Sequence, residues 1–189
     1  APPKRGWDSV TVPGAVAGWA ALSGRFGRLP FADLLQPAIE IAERGFAVPM
    51  VVQRKWAAAA PLLEREPGFA EAFLPRGRAP QVGEVFRFES AARTLRLIAE
   101  SRGEAFYRGE VAAAAERHAR AHGGAMTAAD FAAYAPQWVQ PLALDYRGRG
   151  TLHEIPPNGQ GIAAQIALGI LQHFDLAALP VDGVAFQHL

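Results

Sequence analysis

His118 and His122 stand four residues apart in a stretch that reads as helix, the spacing at which two imidazoles on one face can share a metal ion. The residues between them, Ala119-Arg120-Ala121, supply no Glu to act as a base, and no third ligand lies nearby in sequence. A solvated helix face is therefore the favoured reading, and no metal ligand is assigned. His153, His173 and His188 are isolated, so a packing or surface role is their default. The chain has no cysteine, which excludes thiol nucleophiles, disulfides and cysteine-ligated metals and leaves the redox compartment open.

Hydroxyl nucleophiles are few: Ser9, Ser23, Ser90, Ser101, Thr11, Thr94, Thr127 and Thr151. None sits in a Gly-x-Ser-x-Gly elbow. Ser90 and Thr127 read as helix-start residues and Thr151 as a strand residue. Asn158-Gly159-Gln160-Gly161 precedes an apolar helix, where unpaired backbone N–H groups could hold an anion or an oxyanion. It lacks the spacing of a phosphate loop or a dinucleotide fingerprint, so a turn with a helix cap is the preferred reading.

Around these residues lie 189 positions, half of them hydrophobic and a fifth charged, with a formal net charge of +1. That balance fits a globular chain and offers no basic stripe for nucleic acid, so no nucleic-acid partner is expected. All the basic residues except Lys4 and Lys55 are Arg, which together with the abundance of Ala reflects a GC-rich coding bias. The apolar runs fall well short of the roughly 20 residues that span a bilayer, so no membrane span is expected.

The elements that would position this chemistry follow from periodicity and punctuation. Trp7 to Val12 alternates and reads as a strand, turned by Pro13-Gly14 into a helix over 15–26, where Gly18 and Gly24 suggest close packing. Phe31, Leu34, Leu35, Ala38, Ile39 and Ala42 recur at helical spacing, with Gly45 as the C-terminal cap. Val48 to Leu63 is a further helix opened by Pro49, and Phe69 to Phe88 should carry little regular structure across the surface.

Helices are expected over 89–101 and 110–121, the second stopped by Gly123-Gly124. Thr127 to Asp130 has the form of a capping box for a short helix ending near Tyr134 and Pro136. Trp138 to Tyr146 and Thr151 to Ile155 read as paired strands, and the Pro156 to Gly161 turn leads into a buried apolar helix from Ile162 to Phe174. The chain shows no internal repeat and no composition shift, so residues 1–189 are taken as a single unit. The start at Ala1-Pro2-Pro3, without Met or a visible signal peptide, and the apolar end at Leu189 suggest an internal fragment.

Four stretches, in order, resemble the large-subunit portion of the γ-glutamyltransferase (γ-glutamyltranspeptidase) family. The first is Val12-Pro13-Gly14-Ala15-Val16-Ala17-Gly18-Trp19, followed by Phe26-Gly27-Arg28-Leu29-Pro30 and by Gln36-Pro37-Ala38-Ile39 with Ala42, Gly45 and Phe46. The second is Phe106-Tyr107-Arg108-Gly109, and the third runs from Gly123-Gly124 through Thr127, Asp130, Phe131, Ala132, Ala133 and Tyr134. The fourth joins Asp145-Tyr146-Arg147-Gly148 to Pro156-Pro157-Asn158-Gly159-Gln160-Gly161. Each alone is a turn or a cap; their order and spacing across nearly the whole chain carry the resemblance.

The resemblance implies a helix-rich α+β fold, a segment of the four-layer αββα sandwich of an N-terminal-nucleophile hydrolase, with 1–189 as a single partial domain. It implies a precursor that cuts itself to expose a Thr heading a small subunit. That Thr attacks a γ-glutamyl amide, with its own α-amino group as base, and the acyl-enzyme passes the γ-glutamyl group to water or an amine. The implied partners are a small γ-glutamyl substrate such as glutathione and the small subunit of the same precursor, with no cofactor and no metal. Bacterial members are often exported, which favours the periplasm.

This chain contains neither the self-cleavage Thr, which in the family lies downstream of Leu189, nor the upstream Arg that holds the substrate α-carboxylate; Arg5 does not match that motif. No catalytic residue is carried over, Thr151 included, no substrate-binding residue is assigned, and the segment alone is expected to be inactive. Exposed apolar faces on a cut sandwich would favour a homo-oligomer of the fragment. Two alternatives stand: an acylase of the same superfamily acting on cephalosporin-type acyl groups, for which the Asn-Gly-Gln-Gly turn leaves room, and a non-catalytic helical scaffold.

Overall fold

The computed structural model describes residues 3–188. Its helix-rich α+β architecture falls into two compact units that divide after Pro136. No helix among the described residues is long and apolar enough to cross a membrane.

In the first unit a single 3-10 turn, Trp7–Ser9, stands where a strand was expected. Gly6 at φ 77 bends the chain, and Ser9 and Val10 donate their backbone N–H groups to Gly6 and Trp7 instead of to a ladder. Helix α1 (Ala15–Phe26) follows, then α2 (Phe31–Arg44), whose Phe31, Leu35 and Ile39 recur every fourth residue and are buried. The glycines expected to mark close packing in α1 do not: a Cβ at Gly18 would meet nothing within 4 Å, and one at Gly24 only Arg102 at 3.9 Å.

Gly45 ends α2 at φ 83, and a Cβ there would press on Val85 and the Phe86 carbonyl. This glycine is needed twice, for its dihedral and for the close pass of a strand. That strand pair is β1 (Phe46–Ala47), which precedes α3 (Met50–Leu63) and α4 (Phe69–Phe73), and β2 (Val85–Phe86), in antiparallel register Phe46 with Phe86. Val48 prolongs the pairing, donating to Glu84 O at 3.0 Å and accepting from Gly83 N at 2.8 Å.

The 69–88 region is therefore more ordered than its sequence suggests, and Leu74, Ala79 and Pro80 are buried within it. Aromatic packing explains the order. The Trp56 ring lies 4.7 Å from Phe86 and 6.2 Å from Phe73, Phe73 lies 5.2 Å from Phe88, and the Trp56 indole donates to Phe73 O at 2.9 Å.

Helix α5 (Glu89–Ser101) packs on α2 through Ala92, Ile98 and Ala99. Ser90, read as a helix-start residue, lies one position inside the helix; the cap position is Phe88. Two left-handed residues, Arg102 at φ 52 and Gly103 at φ 91, then redirect the chain into α6 (Glu104–Arg108), a helix not anticipated from sequence. Helix α7 (Glu110–Ala121) buries Ala112 and Ala119 completely and stops at Gly123, φ 75. The capping box at Thr127 and Asp130 is formed as expected and opens α8 (Ala128–Ala133).

The second unit starts from an antiparallel hairpin, β3 (Leu142–Asp145) with β4 (Thr151–Glu154), in register Leu142 with Glu154. The first strand is shorter than the expected 138–146. Arg147 at φ 57 and Gly148 at φ 64 make the turn, and Gly148 N donates to Asp145 Oδ2 at 2.8 Å. Helix α9 (Gly161–Leu171) crosses this hairpin, and a short α10 (Val184–Gln187) closes the unit.

Helix α9 is not buried as expected. Ile162, Ile166, Ile170 and the following Phe174 are 36–57% exposed. Its buried residue is the polar Gln165, whose Nε2 donates to Leu142 O at 3.0 Å and Leu152 O at 3.2 Å. The hairpin is four residues per strand and meets the Gln165 side of a helix whose other residues are apolar, so Ile162, Ile166 and Ile170 keep their exposure.

Candidate functional site

The two histidines singled out by spacing do come together. The end of α7 sets their rings 4.4 Å apart, and the Trp7 indole N–H donates to His118 Nδ1 at 3.1 Å with the two rings 5.6 Å apart. A cleft of about 550 Å³ opens here, lined by Trp7, Val10, Leu63 and Glu66 beside both histidines. The Trp7 bond spends one His118 nitrogen as an acceptor and leaves the hydrogen of the neutral ring on Nε2, so a cation would have to displace either Trp7 or that hydrogen. Among the described residues no three His, Asp or Glu side chains converge as a metal cluster.

The Asn158 to Gly161 turn does place a helix start. Gln160 holds the cap position of α9, and a Cβ on Gly161 would run into the Glu154 carboxylate. An anionic group of the chain itself therefore already lies against this helix N-terminus, where the dipole favours it. Gln160 makes no side-chain cap bond, and the place beside this helix start is taken by Glu154.

Several hydroxyls engage their own backbone. Ser9 donates to Gly6 O at 2.8 Å and Thr94 to Ser90 O at 3.1 Å. Ser101 accepts from Ala105 N at 3.0 Å, which joins α5 to α6. Thr127 accepts from Asp130 N at 3.2 Å and donates to Asp130 Oδ2 at 2.7 Å. The Thr127 hydroxyl first, and then the Thr127 backbone N–H, which donates to Asp130 Oδ2 at 2.8 Å, hold the Asp130 carboxyl below its ordinary value. Thr151 is exposed at the start of β4 opposite Asp145, and Arg5 donates to Leu62 O at 3.0 Å.

What the structure assembles instead is the set of family-like stretches. Tyr107 Oη donates to Pro13 O at 2.7 Å and accepts from Ala17 N at 3.0 Å, taking up a first-turn donor of α1 that the Gly14 cap leaves unpaired. Burial pushes the Tyr107 hydroxyl above its ordinary value, against the Ala17 N–H, which favours the phenolate. Tyr134 stacks on Tyr107 at 5.6 Å and 15°, and Gly14 has no room for a Cβ beside the Tyr134 hydroxyl. Phe106 meets Phe131 at 6.0 Å. Three of the four stretches thus lock onto one another around the entry to α1.

The fourth stretch builds the second unit in the same manner. Arg147, over the Tyr146 ring at 5.4 Å, donates through Nη2 to the carbonyls of Leu171 at 3.0 Å, Gln172 at 3.2 Å and Phe174. It caps the C-terminus of α9 from the hairpin turn. Sequence reasoning assigned no role to Tyr107, Arg147 or Gln165. Their signals were present: two stand in the quoted stretches, and Gln165 is a lone polar residue amid the apolar run of α9.

Comparison with known proteins agrees with these stretches. The chain is 38% identical over 188 residues to the glutathione hydrolase-like YwrD proenzyme of Bacillus subtilis, covering 99% of this chain and 36% of the relative. It is 36% identical to the acylase ACY 1 proenzyme of a Pseudomonas strain, over 97% of this chain and 33% of the relative. Among solved structures, the cephalosporin acylase of Bacillus halodurans superposes with a TM-score of 0.89 at 45% identity, over 98% of this chain and 35% of that one. The Helicobacter pylori γ-glutamyltranspeptidase gives 0.91 at 27% identity, over 98% of this chain and 53% of that one.

The chain spans about a third of the length of these curated relatives. Its helix-rich α+β fold is that of the corresponding part of the N-terminal-nucleophile hydrolases among them. The Gamma-glutamyltranspeptidase family model matches residues 1–189 from end to end, and the chain belongs to that family.

Proposed function

We propose that this chain is part of an autoprocessing enzyme that hydrolyses or transfers the acyl group of γ-glutamyl amides such as glutathione. The observation that carries the reading is the match to proenzymes over almost every residue, 38% identical to a glutathione hydrolase-like one. In this reading the nucleophile is an N-terminal Thr supplied outside residues 1–189, and the role of this segment is to scaffold the small subunit of the same precursor. The mutual locking of Tyr107, Tyr134 and the Val12 to Gly18 stretch supports it, since the residues that resemble the family are spent on architecture. The periplasm is the proposed compartment.

A second reading, an acylase for cephalosporin-type acyl amides, is favoured by the 45% identity to the Bacillus halodurans structure. The open face of α9, with Ile162, Ile166 and Ile170 exposed, supports contact with a further layer of protein. Expressed alone, the segment should pair through that face into homo-oligomers, and Ile166→Glu should return it to a monomer in sedimentation.

One experiment separates the readings. The full parent reading frame is expressed, its products are weighed intact and sequenced from their N-termini, and amine release is followed from a γ-glutamyl anilide and from a cephalosporin-type acyl amide. Two chains, the smaller starting with Thr, and release from the anilide support the first reading. Release from the acyl amide alone supports the second, and an uncleaved, inactive product leaves a scaffold.

A further inference from the structure

The bond between Trp7 and His118 rests on a lone pair that a proton removes. His118 Nδ1 can accept the indole N–H only in the neutral ring, because the imidazolium is a donor at both nitrogens. Protonation would therefore set one N–H against another. The His122 ring lies 4.4 Å away, at the C-terminal cap of α7, so the two imidazoles share the cleft.

Trp7 has no slack in its seat. Its side chain occupies the place where a Cβ on Gly124 would fall, so the ring is held between that glycine and His118. The charged and titratable groups lining the same cleft are Arg5 from the Trp7 segment, Glu66 from the turn after α3, and His122 from α7. Arg5 brings a positive charge to the cleft and Glu66 a negative one. The turn that Trp7 anchors leads directly into Val12 to Gly18, the stretch clasped by Tyr107.

We propose that the Trp7–His118 bond is an acid-sensitive latch that holds the Gly6 to Val10 turn on the end of α7 at neutral pH and releases it on acidification. The release exchanges no covalent bond. One indole hydrogen bond is lost, one proton is gained at His118 Nδ1, and the turn becomes free to move relative to α7. The proposal does not depend on which acyl amide the enzyme takes.

The test follows the Trp7 indole ¹H–¹⁵N resonance and the His118 ring resonances of the full protein between about pH 8 and pH 5, the range in which histidines titrate. The Trp7 signal should move to a non-bonded position with the same midpoint as His118, with loss of ¹H–¹⁵N NOE intensity across residues 6–10. His118→Phe should leave the Trp7 signal non-bonded at every pH. His122→Asn should keep the transition, because the indole bond that protonation breaks is made by His118. Trp7→Phe, which cannot make the indole bond, should show the lowered NOE intensity across residues 6–10 already at neutral pH, and this variant keeps the test independent of how His118→Phe folds. A Trp7 resonance that stays put while His118 titrates would overturn the latch and would mean that imidazolium–indole attraction holds the ring in its place. A transition that persists in His118→Phe would overturn it too.

Discussion

The phenolic oxygen of Tyr107 bridges Pro13 O and Ala17 N, joining α6 to the first turn of α1 across 90 residues of sequence. Gly14 at the cap position has no side chain to offer that turn, so a residue from another helix does the capping. Tyr107→Phe should lower stability by about 1–2 kcal/mol, the cost of leaving a buried donor and acceptor unpaired. The raised hydroxyl adds a pH signature. A group titrating higher when folded stabilises below its unfolded pKa and loses that contribution as the pH rises through the folded one, so the wild type should show an alkaline fall in stability that Tyr107→Phe lacks. Chemical denaturation of both proteins at neutral and at alkaline pH checks both statements.

Asp130 and Thr127 close the capping box on α8. Thr127→Ala should cost about 0.5–2 kcal/mol in urea melts. Asp130 is held below its ordinary value, so its contribution is present above the unfolded carboxylate value and lost as the pH falls through the lower folded one. Asp130→Asn should flatten that acid limb.

Glu84 holds the 76–83 loop. Its Oε2 accepts from Gln81 N at 2.8 Å and Arg78 Nη1 at 2.9 Å, and Arg76 approaches Oε1 at 3.0 Å. The Gln81 N–H first, then Arg78, keep its carboxyl below the usual range. The sign is that of Asp130: the loop should loosen as the pH falls through the folded value. Amide exchange of residues 76–83, corrected for intrinsic rates, should rise on acidification in the wild type and be high at all pH values in Glu84→Gln.

Arg147 caps α9 through one nitrogen, Nη2, which is aimed at three carbonyls. Arg147→Met keeps much of the stem and removes the donor and the charge, so amide exchange in the last turn of α9 should quicken several-fold while the β3–β4 hairpin is unchanged. Arg147→Gly should quicken it as much and relieve the left-handed dihedral at φ 57. Equal protection in all three proteins would show that the cap contributes nothing.

The helices over 15–26, 31–44, 89–101 and 110–121 were legible because an apolar stripe or an Ala-rich run was bounded by Gly or a charged first turn. The β3–β4 pairing was legible from two alternating runs around Arg147-Gly148. What was not legible depends on distant partners. Strands of two residues such as Phe46–Ala47 carry no period, and their pairing with Val85–Phe86 is set by the passage beside Gly45. Trp7 failed as a strand because its neighbours' N–H groups turn inward, and α9 failed as a buried helix because apolar composition reports what a face can bury and not what covers it. Of the candidate site, the His118–His122 pair was visible, but the Trp7 donor that decides what His118 can do is 111 residues away.

Ala112 and Ala119 on α7 are wholly buried, so single methyl groups set how near that helix comes to its neighbours α6 and α8. An alanine codon can change by one base to Val, Thr, Ser, Pro, Asp, Glu or Gly. Each of the first six adds bulk, a buried polar group or a helix break, and Gly costs about 1 kcal/mol of helix propensity. No single-base exit from these two codons is free. Drift in a gene so rich in alanine should therefore pass around positions 112 and 119 while it moves through the exposed alanines of the same helices.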